Sequence, residues 1–203
     1  MTKGFFITFE GGDGCGKSTQ LELVEKYLNE KGKTTLKTRE PGSFGLGQKL
    51  REVLLHYDGD VASRAEAFLF LADRAQHIEK IIKPALNEGI IILCDRHTDS
   101  TVAYQGYGRG QDIEQIDMLN NLATQGLKPD LTLLFDVSTE VAQTRVGLEK
   151  DRMESAGIEF HKKVRNGYLK IAKSEPQRIK VIDANLAISE VFEQVKKYID
   201  ELI

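Results

Sequence analysis

Eight residues near the start of the chain have the types and the spacing needed to hold a phosphate. Residues 11–18 read GGDGCGKS and match the pattern G-x-x-x-x-G-K-[ST]. Glycines let backbone N–H groups approach a phosphate, Lys17 can reach the terminal phosphates, and the Ser18 hydroxyl can ligate Mg²⁺. The sequence therefore predicts a nucleoside triphosphate site. It is formed by Gly11, Gly12, Asp13, Gly14, Cys15, Gly16, Lys17, Ser18 and Thr19.

Two acidic residues stand at the ends of apolar runs, where α/β sheets bind their ligands. Asp95 follows residues 91–94, and Asp136 follows residues 131–135. Asp95 is the better candidate for holding Mg²⁺ beside the phosphate loop, because Arg96 follows it and its guanidinium matches a phosphate. For Asp136 we expect a different role, the capping of a helix that begins near Thr139.

Arginines recur near the predicted strand ends, at Arg39, Arg51, Arg74 and Arg96. Each arginine alone could simply be a solvent-exposed surface residue. Together they indicate an anionic acceptor, because transfer of a phosphoryl group onto another phosphate must overcome charge repulsion.

The elements around these residues predict an α/β fold. Residues 5–10 are apolar and aromatic, as in a buried parallel strand, and a helical spacing of apolar residues follows the loop. Strand-like runs also cover 34–37, 90–94, 131–136 and 179–182. Helical patterns lie between them, at 46–56, 63–86, 99–105, 112–125, 139–146, 159–173 and 189–203. This alternation is typical of a parallel sheet.

The longest helical pattern begins at Ser63 and has two different faces. Ser63 and Glu66 have the spacing of a capping box. A core stripe is predicted for Phe68, Leu71, Ala75, Ile78 and Ile82, whereas Phe70, Arg74 and His77 share another face.

Length and composition predict one domain over residues 1–203. Lys and Arg number 28 against 31 Asp and Glu, for a net charge of −3, so we expect neither a nucleic-acid nor an anionic-membrane partner. No apolar run reaches the ~20 residues of a membrane span, and we expect a cytoplasmic protein. Residues 147–157 are charged with few apolar anchors. They predict a short lid at about 145–158, or else an ordinary solvated connector.

Five motifs together resemble the thymidylate kinase family. They are FEGGDGCGKST at 9–19, TREPG at 38–42, DRHTDSTVAYQG at 95–106, LKPDLT at 127–132 and DRME at 151–154. The resemblance implies a P-loop nucleoside monophosphate kinase fold, with a five-stranded parallel sheet flanked by helices on both faces. It also implies a homodimer that uses ATP and Mg²⁺ to convert dTMP to dTDP.

The same resemblance implies individual roles in the dTMP site. Arg51 and Arg96 clamp the 5′-phosphate, Phe70 stacks on thymine, and Arg74 donates to its exocyclic oxygen. Tyr104 excludes a ribose 2′-hydroxyl, and Thr101 and Gln105 face the ring edge. The implied acceptor site comprises Asp13, Glu40, Arg51, Phe70, Arg74, Arg96, Ser100, Thr101, Tyr104 and Gln105.

The remaining implied roles concern the metal, the adenine and the transferring phosphate. The metal region contains Ser18, Asp95 and Glu40, and the adenine lies near Asp183, Ala184 and Asn185. Asp13 binds the 3′-hydroxyl or helps to place Mg²⁺. The implied catalytic set is Lys17, Asp13, Arg96, Arg152, Lys150 and Arg145.

Two positions depart from the family pattern. Some members have an arginine directly after the loop aspartate, but Gly14 stands here, so we expect the lid to supply the catalytic cation. Of Arg145, Lys150 and Arg152 we favour Arg152, because it lies in the DRME motif. Ser43-Phe44 also replaces a glycine-rich continuation.

The alternatives are a kinase for UMP or CMP and, less favoured, a P-loop switch or a nucleic-acid-dependent ATPase. The chain has no Asn-Lys-x-Asp motif for guanine, which argues against a common GTPase.

Overall fold

A five-stranded parallel sheet forms the centre of the protein in a computed structural model that describes residues 4–145, 147 and 151–203. The strands are β1 (Phe6–Glu10), β2 (Thr35–Arg39), β3 (Ile91–Asp95), β4 (Leu131–Asp136) and β5 (Ile179–Asp183). Their order is β2-β3-β1-β4-β5, and all neighbouring pairs are parallel. The predicted strands and the α/β class are confirmed, with strand ends shifted by up to two residues.

Nine α-helices lie in the described part of the chain, and several are short. They are α1 (Lys17–Glu30), α2 (Leu46–His56), α3 (Ser63–His77), α4 (Lys83–Asn87), α5 (Thr98–Thr101), α6 (Ile113–Thr124), α7 (Thr139–Arg145), α8 (Ile158–Ser174) and α9 (Ile188–Leu202). A π-helical segment, Ile78–Ile82, joins α3 to α4, and a second, Val102–Gly108, continues α5. A 3₁₀ turn, Glu154–Ala156, precedes α8.

Helices cover both faces of the sheet, as predicted. Alternate residues of each strand point to opposite sides, and in the central strands both sets are buried, so each face needs its own layer of helices. Ile7 and Phe9 of β1 join a buried cluster with Val24 of α1 and Val195 of α9. Phe6, the residue before Ile7, points to the other face and packs there with the π-helical segment after α3. The carboxyl edge of the sheet is left open between these layers. No helix within the described residues is both long and apolar enough to cross a membrane.

Two predictions about α3 are wrong. Phe68 is 50% exposed and lies outside the core, although Leu71, Ile78 and Ile82 are buried as predicted. Ala62 is the N-cap, and no side chain caps the helix. The Glu66 carboxylate instead lies buried against two arginines, which bind it more strongly than a helix N-terminus would.

Asp136 does not cap α7, contrary to our prediction. The Ser138 hydroxyl oxygen accepts from the Val141 N–H at 3.2 Å. Asp136 instead accepts two hydrogen bonds from Arg165, at 2.7 and 2.8 Å. A bidentate pair with arginine is stronger than a single bond from a backbone N–H.

Candidate active site

A cavity of about 840 Å³ lies at the carboxyl edge of the sheet and contains both predicted nucleotide sites. Residues 13–19 of the phosphate loop line one part of it. The predicted acceptor residues Glu40, Arg51, Phe70, Arg74, Arg96, Ser100, Thr101, Tyr104 and Gln105 line another part. Asp95, Arg145 and Ala184 also contribute to the wall. The fold therefore brings together residues that are far apart in the chain.

The phosphate loop connects β1 to α1 with glycines at the positions that need them. Gly16, the N-cap of α1, has a left-handed backbone with φ of 90°. At Gly11 a Cβ atom would lie 2.5 Å from the Phe135 carbonyl oxygen, so no other residue fits there without movement. The Lys17 ammonium donates to the carbonyl oxygens of Gly11 and Gly12 at 3.1 and 3.0 Å. The loop and the N-terminus of α1 therefore form a positive cradle.

Asp13 joins the phosphate loop to the acceptor side. Its carboxylate accepts from Arg96 Nη2 at 2.6 Å and from the Tyr104 hydroxyl at 3.1 Å. Burial alone would raise the pKa of Asp13, but the charges of Arg96 and Lys17 outweigh it and lower this pKa to about 2. Asp13 is therefore ionised at neutral pH.

Arg96 is held in place through two hydroxyl groups by Glu10, a buried residue for which the sequence predicted no role. Its Nη1 donates to Ser100 Oγ at 3.3 Å and to the Tyr168 hydroxyl at 3.2 Å. Both of those hydroxyls contact Glu10 Oε2, at 2.6 and 2.9 Å. Burial, together with the charge of Asp99, raises the pKa of Glu10 to about 7.

Glu10 could have been found, because it ends an apolar strand, the same signal that marked Asp95. Tyr168 carries no local signal, since it lies 158 positions beyond Glu10.

Arg74 lies almost wholly buried in a polar cluster behind the cavity. Its Nε donates to Glu40 Oε2 at 2.9 Å, and its Nη1 donates to Thr101 and Asn120 at 2.8 and 2.7 Å. Its Nη2 donates to the His97 carbonyl oxygen at 2.9 Å. These bonds use four of the five N–H groups of a guanidinium. Phe70, one helical turn earlier, also lines the cavity.

Both oxygens of Glu40 are already hydrogen-bonded. Oε1 lies 2.9 Å from the Nδ1 atoms of both His77 and His97, and Oε2 accepts from Arg74. Burial alone would raise the pKa of Glu40, but the charges of His97 and Arg74 and the bonds from both histidines hold it well below its usual range. His77 was predicted on this face of α3 from the sequence, whereas no role was predicted for His97 or Asn120.

The donor set near Asp95 suits a hard divalent cation. Asp95 Oδ1 is buried and has no hydrogen-bond partner among the described residues, and Ser18 is exposed in the same cavity. Nowhere in the described ranges do three or more His, Cys, Asp or Glu residues converge as a metal cage. Such a site fits Mg²⁺, which keeps several waters and binds one or two protein oxygens together with substrate phosphates.

Arg51 supplies positive charge near Asp95. Its Nη1 donates to the Pro41 carbonyl oxygen at 2.9 Å, and a Cβ at Gly42 would lie 2.7 Å from its side chain. Burial and the charge of Arg39 lower the pKa of Arg51. Because Arg39 and Arg51 lie close enough to repel each other in the cavity wall, an anion bound between them would be stabilised.

The described cations of the predicted lid have different surroundings. Arg145, the last residue of α7, lines the cavity and donates to the Ala184 carbonyl oxygen at 3.1 Å. Arg152 donates to the Leu54 carbonyl oxygen at 2.9 Å and to Glu66 Oε2 at 2.6 Å. Lys150 lies outside the described residues.

The segment after β5 has its own local order. Asp183 Oδ1 accepts from the backbone N–H and the side-chain Nδ2 of Asn185, at 3.0 and 2.7 Å. Ala184, between them, is buried and lines the cavity.

Comparison with known proteins identifies the family. Residues 9–195 match the sequence model described as Thymidylate kinase. The chain belongs to the thymidylate kinase family. A curated thymidylate kinase from Sulfurihydrogenibium sp. is 51% identical over 93% of both chains. Another from Desulfovibrio desulfuricans is 47% identical over 96% of this chain and 94% of that one.

A solved structure agrees with the family assignment. The crystal structure of thymidylate kinase from Ehrlichia chaffeensis has a TM-score of 0.79 and 38% identity, and the match covers 97% of this chain and 99% of that one. The resemblance to the thymidylate kinase family and the predicted α/β fold class are therefore confirmed. So is the prediction of an enzyme, a kinase that phosphorylates dTMP and uses ATP with a divalent cation. The alternative of a UMP or CMP kinase is not favoured.

Proposed function

We propose that this chain transfers the γ-phosphoryl group of ATP in line to the 5′-phosphate of dTMP, with both nucleotides in the one cavity. The observation that carries the proposal is the bond between Asp13 and Arg96, which couples the phosphate loop to the acceptor arginine. Because Asp13 of the phosphate loop and Arg96 of the acceptor site form an ion pair, the phosphates bound at these two places lie near one another. Positioning and charge stabilisation supply most of the catalysis in such transfers.

The acceptor end suits a pyrimidine deoxynucleotide. Phe70 offers a flat apolar face for the base, and Arg74 has one N–H group beyond the four that its neighbours use. The Tyr104 hydroxyl is tied to Asp13, so the ring stands as a fixed wall beside the sugar. Arg51 and Arg96 bind the 5′-phosphate.

The donor end neutralises the charge of the triphosphate. The N–H groups of the loop and the Lys17 ammonium contact the phosphates, and Asp95 with Ser18 would hold Mg²⁺. When bound, Mg²⁺ supplies positive charge to the phosphate oxygens. No strong general base is needed, because the attacking oxygen of dTMP is already ionised.

We assign two predicted residues differently from the sequence. Glu40 is 3% exposed and its two oxygens already accept from Arg74, His77 and His97, so we place Glu40 behind Arg74 instead of at the metal. The side chain of Arg152 is engaged by Leu54 and Glu66, so we infer that it anchors residues 151–157 on the acceptor side. Arg145 and Lys150 are then the candidates for the lid cation.

A coupled assay of ADP release tests the proposal. We expect dTMP to stimulate release strongly in the presence of ATP and Mg²⁺, and UMP and CMP to stimulate it weakly. Addition of a chelator should abolish the signal, and Mg²⁺ should restore it. Failure of dTMP to stimulate release would refute the proposal.

We also propose a homodimer, which an exposed apolar surface on α3 and α6 supports. Phe68 is 50% exposed, and Met118 and Leu122, one helical turn apart on α6, are 65% and 74% exposed. Helices α3 and α6 pack against each other, and exposed apolar side chains of this size on neighbouring helices are typical of an interface. Light scattering should give twice the chain mass, and Leu122→Glu should reduce it to one. A monomeric wild-type protein would contradict the proposal.

A single domain and a cytoplasmic location remain predictions from the sequence.

A further inference from the structure

Glu66 is a buried carboxylate that faces away from solvent behind the acceptor site. Its Oε1 accepts from Gln105 Nε2 at 2.9 Å and from Arg109 Nε at 3.3 Å, and its Oε2 accepts from Arg152 Nη1 at 2.6 Å and from Arg109 Nη2 at 3.2 Å. Burial alone would raise the pKa of Glu66, but hydrogen bonds from Gln105, Arg109 and Arg152 outweigh it and lower that pKa. Glu66 is therefore ionised and can only accept hydrogen bonds.

An acceptor-only partner determines which way the Gln105 amide lies. The amide nitrogen must face Glu66, because two oxygens facing each other could form no hydrogen bond. The amide oxygen is then left for the cavity that Gln105 lines. The one side-chain hydrogen bond of Gln105 within the described residues is made by its amide nitrogen.

The cavity consequently presents one donor and one acceptor to the edge of a base. Arg74 supplies the donor and Gln105 Oε1 supplies the acceptor. Thymine carries an acceptor, O4, beside a donor, N3–H, which complements this pair. Cytosine carries the reverse, an amino donor beside the N3 acceptor, and would leave buried polar groups unpaired.

We propose that Glu66 is a positioning residue that sets the base preference of the acceptor site by holding the Gln105 amide with its oxygen toward the base. This inference rests on the proposed function, because it assumes that the cavity binds dTMP. Glu66 contacts Gln105 and not the nucleotide. Its effect is therefore on the choice between bases.

The substitution Glu66→Gln should turn the amide over. Two arginine N–H groups donate at the Oε2 position, including the short bond from Arg152, whereas only the longer bond from Arg109 Nε reaches Oε1. The oxygen of the new side chain is therefore retained at the Oε2 position. Its amide nitrogen then faces Gln105, which must turn its own oxygen toward residue 66. The NH₂ group of Gln105 then faces the base and opposes the N3–H of thymine.

Steady-state kinetics of wild type and Glu66→Gln with dTMP and dCMP test the proposal. We expect the ratio of kcat/KM for dTMP to that for dCMP to fall by about 10-fold or more, mainly through KM for dTMP. Arg109→Lys is the matched control, because it alters a neighbouring contact of Glu66 but leaves Glu66 and Gln105 in place. It should not change the ratio. An equal loss with both substrates in Glu66→Gln would overturn the proposal, because a merely structural role predicts that result.

A double variant keeps the proposal testable if Glu66→Gln folds poorly. Glu66→Gln combined with Gln105→Glu conserves the total charge and exchanges the two partners. Glu at 105 accepts from residue 66 with one oxygen and presents the other to the base, so the preference for dTMP should return. A double variant with no preference for dTMP would overturn the proposal. If the wild-type protein fails to phosphorylate dTMP, the proposed function itself fails, which is a distinguishable result.

Discussion

Replacing Glu40 by glutamine tests the buried cluster that holds Arg74. Glu40 and Arg74 are 3% and 1% exposed, and the carboxylate accepts from Arg74, His77 and His97. A glutamine has only one acceptor oxygen, so its NH₂ group must face either the arginine or the two histidines. If it faces the histidines, both must change tautomer. His97 Nε2, which has no partner in the described structure, would then carry an unpaired N–H beside Phe6.

The expected loss is large because the charge of Arg74 would remain buried without its counterion. Breaking a buried ion pair by removing one partner costs about 3–5 kcal/mol of the free energy of unfolding. For a protein of this size, that corresponds to a fall in Tm of roughly 6–20 °C. KM for dTMP should rise as well, because Arg74 loses its fixed position. Urea denaturation and thermal melting measure the first effect, and initial rates measure the second.

A surface pair provides the control for this measurement. Glu193 bonds Lys196 three residues along α9, and the Glu193 side chain is 68% exposed. Glu193→Gln removes the same charge but should change the free energy of unfolding by at most about 0.5 kcal/mol. If Glu40→Gln loses less than about 1 kcal/mol, the reasoning about buried charge is wrong.

Three further predictions concern the site and its pH dependence. Lys17→Ala should lose most of kcat, whereas Phe70→Ala should mainly raise KM for dTMP, and equal modest effects on kcat would contradict these roles. Because the pKa of Glu10 is raised to about 7, its contribution to stability is complete below pH 4.5 and is lost as the pH rises through 7. Wild type should therefore lose up to about 3 kcal/mol relative to Glu10→Gln between pH 5 and 8, and denaturation curves that stay parallel would refute this. Arg152→Ala should lower Tm and raise KM for dTMP while kcat stays within about 10-fold of wild type, because Arg152 holds Glu66. A collapse of kcat alone would restore Arg152 as the lid cation.

The fold was predictable because its signals are local. The five strands are short apolar runs, and the helices between them show the periodicity of one buried face. Phe68 and the caps of α3 and α7 show the limit of such signals. A periodic apolar residue can lie on an exposed face, and a capping residue can be claimed by a distant arginine, as Asp136 is by Arg165.

Part of the site was predictable because motifs keep its residues together, and the resemblance to the family implied Arg51, Phe70 and Arg74, which lie outside those motifs and also line the cavity. The phosphate loop and the block from Asp95 to Gln105 are continuous, so the sequence indicated them directly. Tyr168 on α8 and Asn120 on α6 belong to the same networks but lie on other elements.

By itself, the sequence determined the class of fold, the phosphate loop and the predicted acceptor residues, which line the cavity. Only the tertiary structure decided which group stands behind each of them. It placed Glu10 behind Arg96, Glu40 behind Arg74 and Glu66 behind Gln105. These carboxylates are buried, and a buried charge must find its partners wherever the fold brings donors within reach. That pairing depends on distances across the sheet, which no local pattern of residues records.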